Sequence, residues 1–230
     1  MAMHRFGTIR VVVLLTMLAG CAGSGELPTS TTQPQTTLTT VAMPPTTSSE
    51  EPEIAELAAT GDNLPPGLYT RSSFEPPIRL ELDGSWEAVQ LADGFFDVQK
   101  MAGTPDVIAV QFANVVGIVS ATDVVEPENS AEAVDILSEN QALTVIETSS
   151  SRLGGLAGSQ VTIENQSDGH AGVLEVPPGL LGIDPGRRLW IAFFDTDQGL
   201  LSVMVGGSIA QWDSALSEAE PVLESIVIGN

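Results

Sequence analysis

Cysteine occurs once in this 230-residue sequence, at Cys21. One thiol excludes an internal disulfide, so stability has to come from a packed core. Lysine also occurs once, at Lys100, and eight bases face 30 acids. Arg5 and Arg10 precede Cys21 and every acid follows it. Residues 21–230 therefore hold 6 bases against 30 acids, a net charge of −24. With no basic patch to neutralise phosphates, nucleic acid is excluded as a partner. The same deficit argues against a folded domain lying on anionic lipid. Histidine occurs only at His4 and His170. The usual activated nucleophiles and bases are thus nearly missing.

What is present at the N-terminus is a targeting pattern. A segment with Arg5 and Arg10 and no acid leads into the apolar run 11–19, then Leu18-Ala19-Gly20-Cys21. The run is far shorter than the roughly 20 residues of a spanning helix. It reads as a signal peptide over 1–20 ending in a lipobox, with cleavage before Cys21 and lipid on its sulfur. The expected location is the extracytoplasmic face of a cell membrane, reached through lipidated Cys21. Two or three acyl chains, at about 0.8 kcal/mol per buried CH₂, give durable attachment.

Residues 21–60 are expected to be a disordered linker. Thr29–Thr37 and Pro44–Ser49 are Thr, Ser, Pro and Gln, with too little apolar surface to offset the entropy of ordering. As a coil the linker spans about 35 Å, and as polyproline II up to about 120 Å. Glu50, Glu51, Glu53 and Glu56 close it, as linker or as a frayed helical turn.

Residues 61–230 are the size of one domain with a real core. Ile78–Leu82 alternates apolar and polar residues, the pattern of a strand with one wet face. The runs 107–112 and 190–194 are continuously apolar and read as central strands. Residues 200–205 follow a turn at 195–199 and complete a hairpin. Further strands are expected near 67–72, 86–92, 95–100, 142–148, 158–164 and 171–176, separated by Asp-Gly turns. Asn129-Ser130-Ala131-Glu132 predicts a helix start, with Val134, Ile136 and Leu137 inward. Ser208-x-x-Gln211 has the form of a capping box. Ile209, Trp212, Leu216, Ala219, Leu223 and Ile226 then form a helical stripe, with a kink or restart at Pro221. The fold class is α+β: a mostly antiparallel sheet flanked by a mid-chain helix and a C-terminal amphipathic helix.

Leu64-Pro65-Pro66-Gly67-Leu68-Tyr69, Phe74-Glu75-Pro76-Pro77-Ile78 and Trp86 open this domain. Gly154-Gly155-Leu156-Ala157-Gly158 lies before Val161-Thr162-Ile163, and Glu220–Ile226 closes the chain. Over roughly residues 64–228 this pattern resembles exported actinobacterial lipoproteins with a PsbP-like (LpqN-type) domain. The resemblance implies an α/β/α sandwich and a binding or assembly role. Its motifs are structural, so it carries over no site residue.

The candidate chemistry is sparse. His170 sits in a turn and reads as an exposed loop histidine rather than a base or ligand. Ser159 follows a glycine run that matches neither a nucleophile elbow nor a phosphate loop. Asp195-x-Asp197-x-Gly199 lacks the last ligand of a calcium loop, because residue 206 is glycine, and reads as a hairpin turn. Asp93 and Asp97 flank Phe95-Phe96 closely enough to share a site, as paired carboxylates of a glycosidase do. Arg187-Arg188 is the one basic doublet, read as an intramolecular ion pair rather than an anion clamp. Asn165-Gln166-Ser167 matches a glycosylation sequon. No catalytic, cofactor-binding or metal-binding residue is assigned, and no cofactor is expected.

The expected function is a non-enzymatic, membrane-anchored binding or assembly module of the cell envelope, taking a protein or small-molecule partner. One alternative is a carrier of apolar ligand or lipid, lined by Trp86, Trp190 and Trp212 between sheet and C-terminal helix. The other is a carboxylate-based hydrolase of wall polymers.

Overall fold

The structure is a computed structural model and describes residues 53–58, 60–61, 63–121 and 123–229. The signal peptide, Cys21 and nearly all of the linker lie outside the described residues. The chain first forms β1 (Ile54–Glu56), β2 (Asn63–Leu64), β3 (Gly67–Arg71), β4 (Ile78–Leu82), β5 (Trp86–Ala92) and β6 (Phe95–Lys100). Next come β7 (Ile108–Val115), β8 (Gly117–Val119), β9 (Val124–Val125) and α1 (Ser130–Ser138). Then follow β10 (Thr144–Leu153), β11 (Leu156–Glu164), β12 (Ala171–Val176), β13 (Gly179–Ile183), β14 (Arg187–Thr196) and β15 (Gly199–Ser208). A 3-10 turn at Ile209–Gln211 leads into α2 (Trp212–Ser225) and β16 (Val227–Ile228).

Eight strands form the central sheet in the order β10-β11-β14-β15-β7-β6-β5-β2, all antiparallel. Two four-stranded sheets, β1-β3-β4-β16 and β13-β12-β8-β9, accompany it. The fold is α+β, as the sequence pattern predicts. Strand alternation divides the core between the two faces of the central sheet. Phe96, Val98, Val110, Phe112, Val203 and Val205 join Ala215, Ala219 and Val222 of α2 in one buried cluster. Phe95, Ala113, Ile191 and Phe193 join Ala133, Val134 and Leu137 of α1 in the other, with Ile118, Val173 and Leu174 from the second small sheet. The helices therefore lie on opposite faces.

The α1 start is where the sequence places it. The Asn129 side chain accepts from the backbone N–H groups of Ala131 and Glu132 at 3.0 Å, satisfying two of the helix's free donors.

Four expectations need correction. The packed domain begins before residue 61. Within the acidic segment, Ile54–Glu56 form a strand rather than linker or helical turn, pairing in parallel with Leu68–Thr70, while Glu50 and Glu51 lie outside the described residues. Leu57 next to it is 1% exposed and donates its N–H to the Thr70 carbonyl. Second, Ser208 caps nothing, because it is still the last residue of β15, paired with Arg187, so its backbone is committed to the sheet. Third, the buried face of α2 is Trp212, Ala215, Ala219 and Val222, while Leu216 is exposed. A Cβ built on Gly207 of β15 would stand 2.8 Å from the Ala215 Cβ, so the helix seats its small residues on glycine and turns Leu216 outward. Fourth, α2 passes through Pro221 without a restart.

Candidate functional site

Three features that are far apart in the sequence meet around one cleft of about 190 Å³. Its floor is made of small residues, Ala109 of β7 and Gly206 of β15, directly opposite each other in the sheet. One wall carries the Gln99 and Gln111 amides, and the other carries Arg187, Leu189 and the β13 end, Gly182–Asp184. Asp97 lies one register step from this floor, opposite Gln111. It is 3% exposed and accepts at 2.6 Å from both the Gln90 N–H and the Gln99 amide. Burial pushes its carboxyl up, against hydrogen bonds from Gln99, Gln90 and Gln111 that favour the charged form.

Arg187 donates to the Pro105 and Val107 carbonyls at 2.9 and 2.8 Å, and burial lowers its pKa, opposed by Asp184 and Asp106. The expected ion pair exists at Arg188 instead, with Glu164. Alternation separates the doublet: Arg188 stacks 5.4 Å from the Trp212 ring on the α2 side. Desolvation by burial opposes the ionised Glu164, but hydrogen bonds from Gln166 and Arg188 outweigh it and hold its carboxyl low.

His170 stands at the β12–β13 end beside Gly182. Its Nδ1 is 2.9 Å from Asp184 Oδ1, both side chains well exposed. Asp93 is exposed in the β5–β6 turn while Asp97 is buried. The two carboxylates sit in different environments, and Asp97's partners are amides. Asp195 does not join a cation loop; its oxygens accept from the Ser130 N–H and hydroxyl at 2.9 Å and tie α1 to the β14–β15 hairpin. Ser159 is an ordinary β11 residue opposite Ser150. Asn165 is 0% exposed and its amide donates at 2.7 Å to the Gly169 and Ile183 carbonyls, so the acceptor amide of the sequon is buried although Gln166 and Ser167 are exposed. Among the described residues no group of three or more His, Cys, Asp or Glu is placed to hold a metal, and no helix is long and apolar enough to cross a membrane.

Beside α2, where a carrier's ligand is expected, a cleft of about 230 Å³ is lined by Leu82, Asp83, Trp86, Glu218, Pro221 and Val222. Trp86 is 0% exposed and Trp212 is 7% exposed, both within the packing of sheet against α2. Lys100, the single lysine, lies 5.0 Å over the Trp86 ring. Its ammonium reaches Asp83 at 2.9 Å and Glu218 of α2 at 2.7 Å. Burial alone would lower the Lys100 pKa, but both hydrogen bonds and both charges outweigh it and raise it. Asp83 is held down to about 2, chiefly by the Lys100 hydrogen bond and then by Ser85. This is a clasp joining helix to sheet.

The clasp has a pH signature. A carboxyl with a depressed folded pKa contributes stability above its ordinary value near 4, lost as pH falls toward about 2. Lys100→Met should flatten the acid limb of stability between those values. Urea midpoints measured through the window check this; equal slopes for both proteins would contradict it.

No family model and no curated protein sequence matches this chain. Solved structures do. The cyanobacterial PsbP protein of Synechocystis is 14% identical over 75% of this chain and 98% of its own, with a TM-score of 0.40. LpqN of Mycobacterium tuberculosis, involved in cell envelope biogenesis, is 10% identical over 78% of this chain and 90% of its own, with a TM-score of 0.38. At these identities and scores neither likeness transfers a residue role.

Proposed function

We propose that the protein is a non-enzymatic binding module of the cell envelope, anchored at the extracytoplasmic face by lipid on Cys21 and binding a small polar ligand in the Gln99–Arg187 cleft. The cleft carries this reading. It presents amide donors and acceptors, a guanidinium and the Asp184 carboxylate, with no hydroxyl, thiol or amine side chain among its lining residues. Such a site binds by hydrogen bonding and offers no hydroxyl, thiol or amine nucleophile. The anchor is supported by the run ending in Leu18–Cys21, and the long Thr/Ser/Pro-rich tether suits a module held off the bilayer.

One complementation experiment tests both halves in a strain deleted for the protein. Wild type should fractionate with membranes and Cys21→Ala should appear in the soluble fraction or medium. His170→Ala should restore function, and Gln111→Leu should not. Membrane retention of Cys21→Ala would refute the anchor. Loss of function with His170→Ala alone would refute the non-enzymatic reading.

A further inference from the structure

We propose that the Gln99–Arg187 cleft takes a small amino acid as its zwitterion, the ammonium at the Gln99 and Gln111 carbonyl oxygens and the carboxylate at Arg187. This deepens, and rests on, the reading of that cleft as a site for a small polar ligand.

The two glutamines have a direction. Buried Asp97 sits beside them, and a carboxylate only accepts hydrogen bonds. Gln99 gives it Nε2 at 2.6 Å. Gln111, opposite Asp97 in the β6–β7 register, also hydrogen-bonds to it. Each amide is thus held by its nitrogen end, and its carbonyl oxygen has no donor among the described residues. Neither oxygen is sealed in. Among the described residues, the buried side-chain polar atom without a partner is Arg71 Nε, on a different sheet. Both glutamines line the same cleft. Two acceptors therefore converge beside a buried carboxyl, an arrangement that calls for a donor carrying positive charge.

The other end has the reverse polarity. Arg187 is half-buried and anchored on the Pro105 and Val107 carbonyls, which leaves further N–H donors of its guanidinium free. Among the described residues it has no ion-pair partner; Asp184 and Asp106 act on it only through space. Register fixes the separation. Leu189, Gly206, Ala109 and Gln99 form one row across β14, β15, β7 and β6, and its two middle members are small, which makes the hollow. Val107, just before β7, and Ala109 and Gln111 within it follow at steps of about 7 Å. The guanidinium bound at Val107 and the Gln111 amide therefore flank Ala109 from opposite sides. The cleft, at about 190 Å³, lies below the roughly 300–1,000 Å³ of drug-sized sites. A free amino acid is small enough and carries its charges in the matching order, and Leu189 and Val107 offer apolar contact to a small side chain.

The test titrates the full chain, in a non-ionic detergent, with glycine, L-alanine, D-alanine and L-valine by calorimetry. At least one should bind at millimolar concentration or below. Acetylating its amine, or amidating its carboxylate, should each weaken binding about tenfold or more, the scale of a hydrogen bond to a charged group. Gln99→Met should remove the penalty for acetylation and keep that for amidation; Arg187→Gln should do the reverse. A merely structural role of either side chain does not produce that crossing. The ligand comparison needs only the wild-type protein, so it decides the matter even if a variant misfolds. No binding by any of the four, or binding undiminished by either modification, would overturn the proposal. Complementation of the deletion strain separates this failure from that of the underlying reading. If no amino acid binds and Gln111→Leu still fails to restore function, the zwitterion is refuted and the polar-ligand cleft stands. If Gln111→Leu restores function, both are refuted.

Discussion

Phe96→Ala should destabilise the domain by about 3–5 kcal/mol, the usual cost of emptying a buried phenylalanine site. Phe96 is 0% exposed. Its ring stacks on Phe112 at 4.4 Å and meets Phe74 edge-on at 5.2 Å. Phe112 belongs to the central sheet, while Phe74 lies between β3 and β4 of the first small sheet. The substitution thus removes the contact that joins two sheets as well as a large apolar surface. Each aromatic pair adds about 0.5–1.5 kcal/mol beyond burial. For a domain of this size the midpoint should fall by roughly 6–20 °C. Phe96→Leu, which keeps more of the volume, should cost clearly less. Thermal and urea unfolding decide it; a loss under about 1 kcal/mol would mean the site collapses around the vacancy.

The second large effect is expected at Gly158. A Cβ built there stands 1.9 Å from the Phe193 carbonyl oxygen and 2.9 Å from Phe194 Cδ1. The first neighbour is backbone in the strand paired with β11, so no side-chain rotation relieves it. Gly158→Ala should therefore exceed the 1–3 kcal/mol typical of overpacking, and Gly158→Val should prevent the β11–β14 pairing. Gly155 is the control. It sits in the β10–β11 turn at φ +88° with nothing within 4 Å of an added Cβ. Gly155→Ala should cost only the left-handed backbone penalty, about 1–2 kcal/mol. Comparable losses at the two glycines would remove the steric explanation for Gly158.

Much of the scaffold was legible because local patterns and tertiary environment agree. Ile78–Leu82 alternates in sequence, and its buried residues are Ile78, Leu80 and Leu82. Asn129 marks a helix start through a bond to residues two and three positions away. The elements missed are those whose local cues are weak or contradicted. β1 is three exposed residues between acids, and only its pairing with β3 and the burial of Leu57 reveal it. Leu216 fits a helical stripe by spacing, but Gly207 across the interface makes the Ala215 side the better seat.

The cleft was harder still. Its walls come from β6, β7, β14, β15 and the end of β13, so no spacing along the chain encodes it. One trace was available. Asp97 and Gln99 in Phe95–Lys100, and Gln111 in Ile108–Ala113, are polar residues inside strands otherwise apolar enough to be central. Such residues need partners, and antiparallel register supplies them by placing Asp97 opposite Gln111.

By itself the sequence determined composition-level and local properties: the single cysteine behind an apolar run, the excess of acid, the strand and helix periods, and the α+β class. These depend on counts and on neighbours within a few residues. Tertiary structure decided where the domain begins, which face of α2 is buried, which arginine is ion-paired, and that Asp97 lies inside while Asp93 lies out. Each of those outcomes is fixed by residues dozens of positions away, through sheet register and the room a glycine leaves.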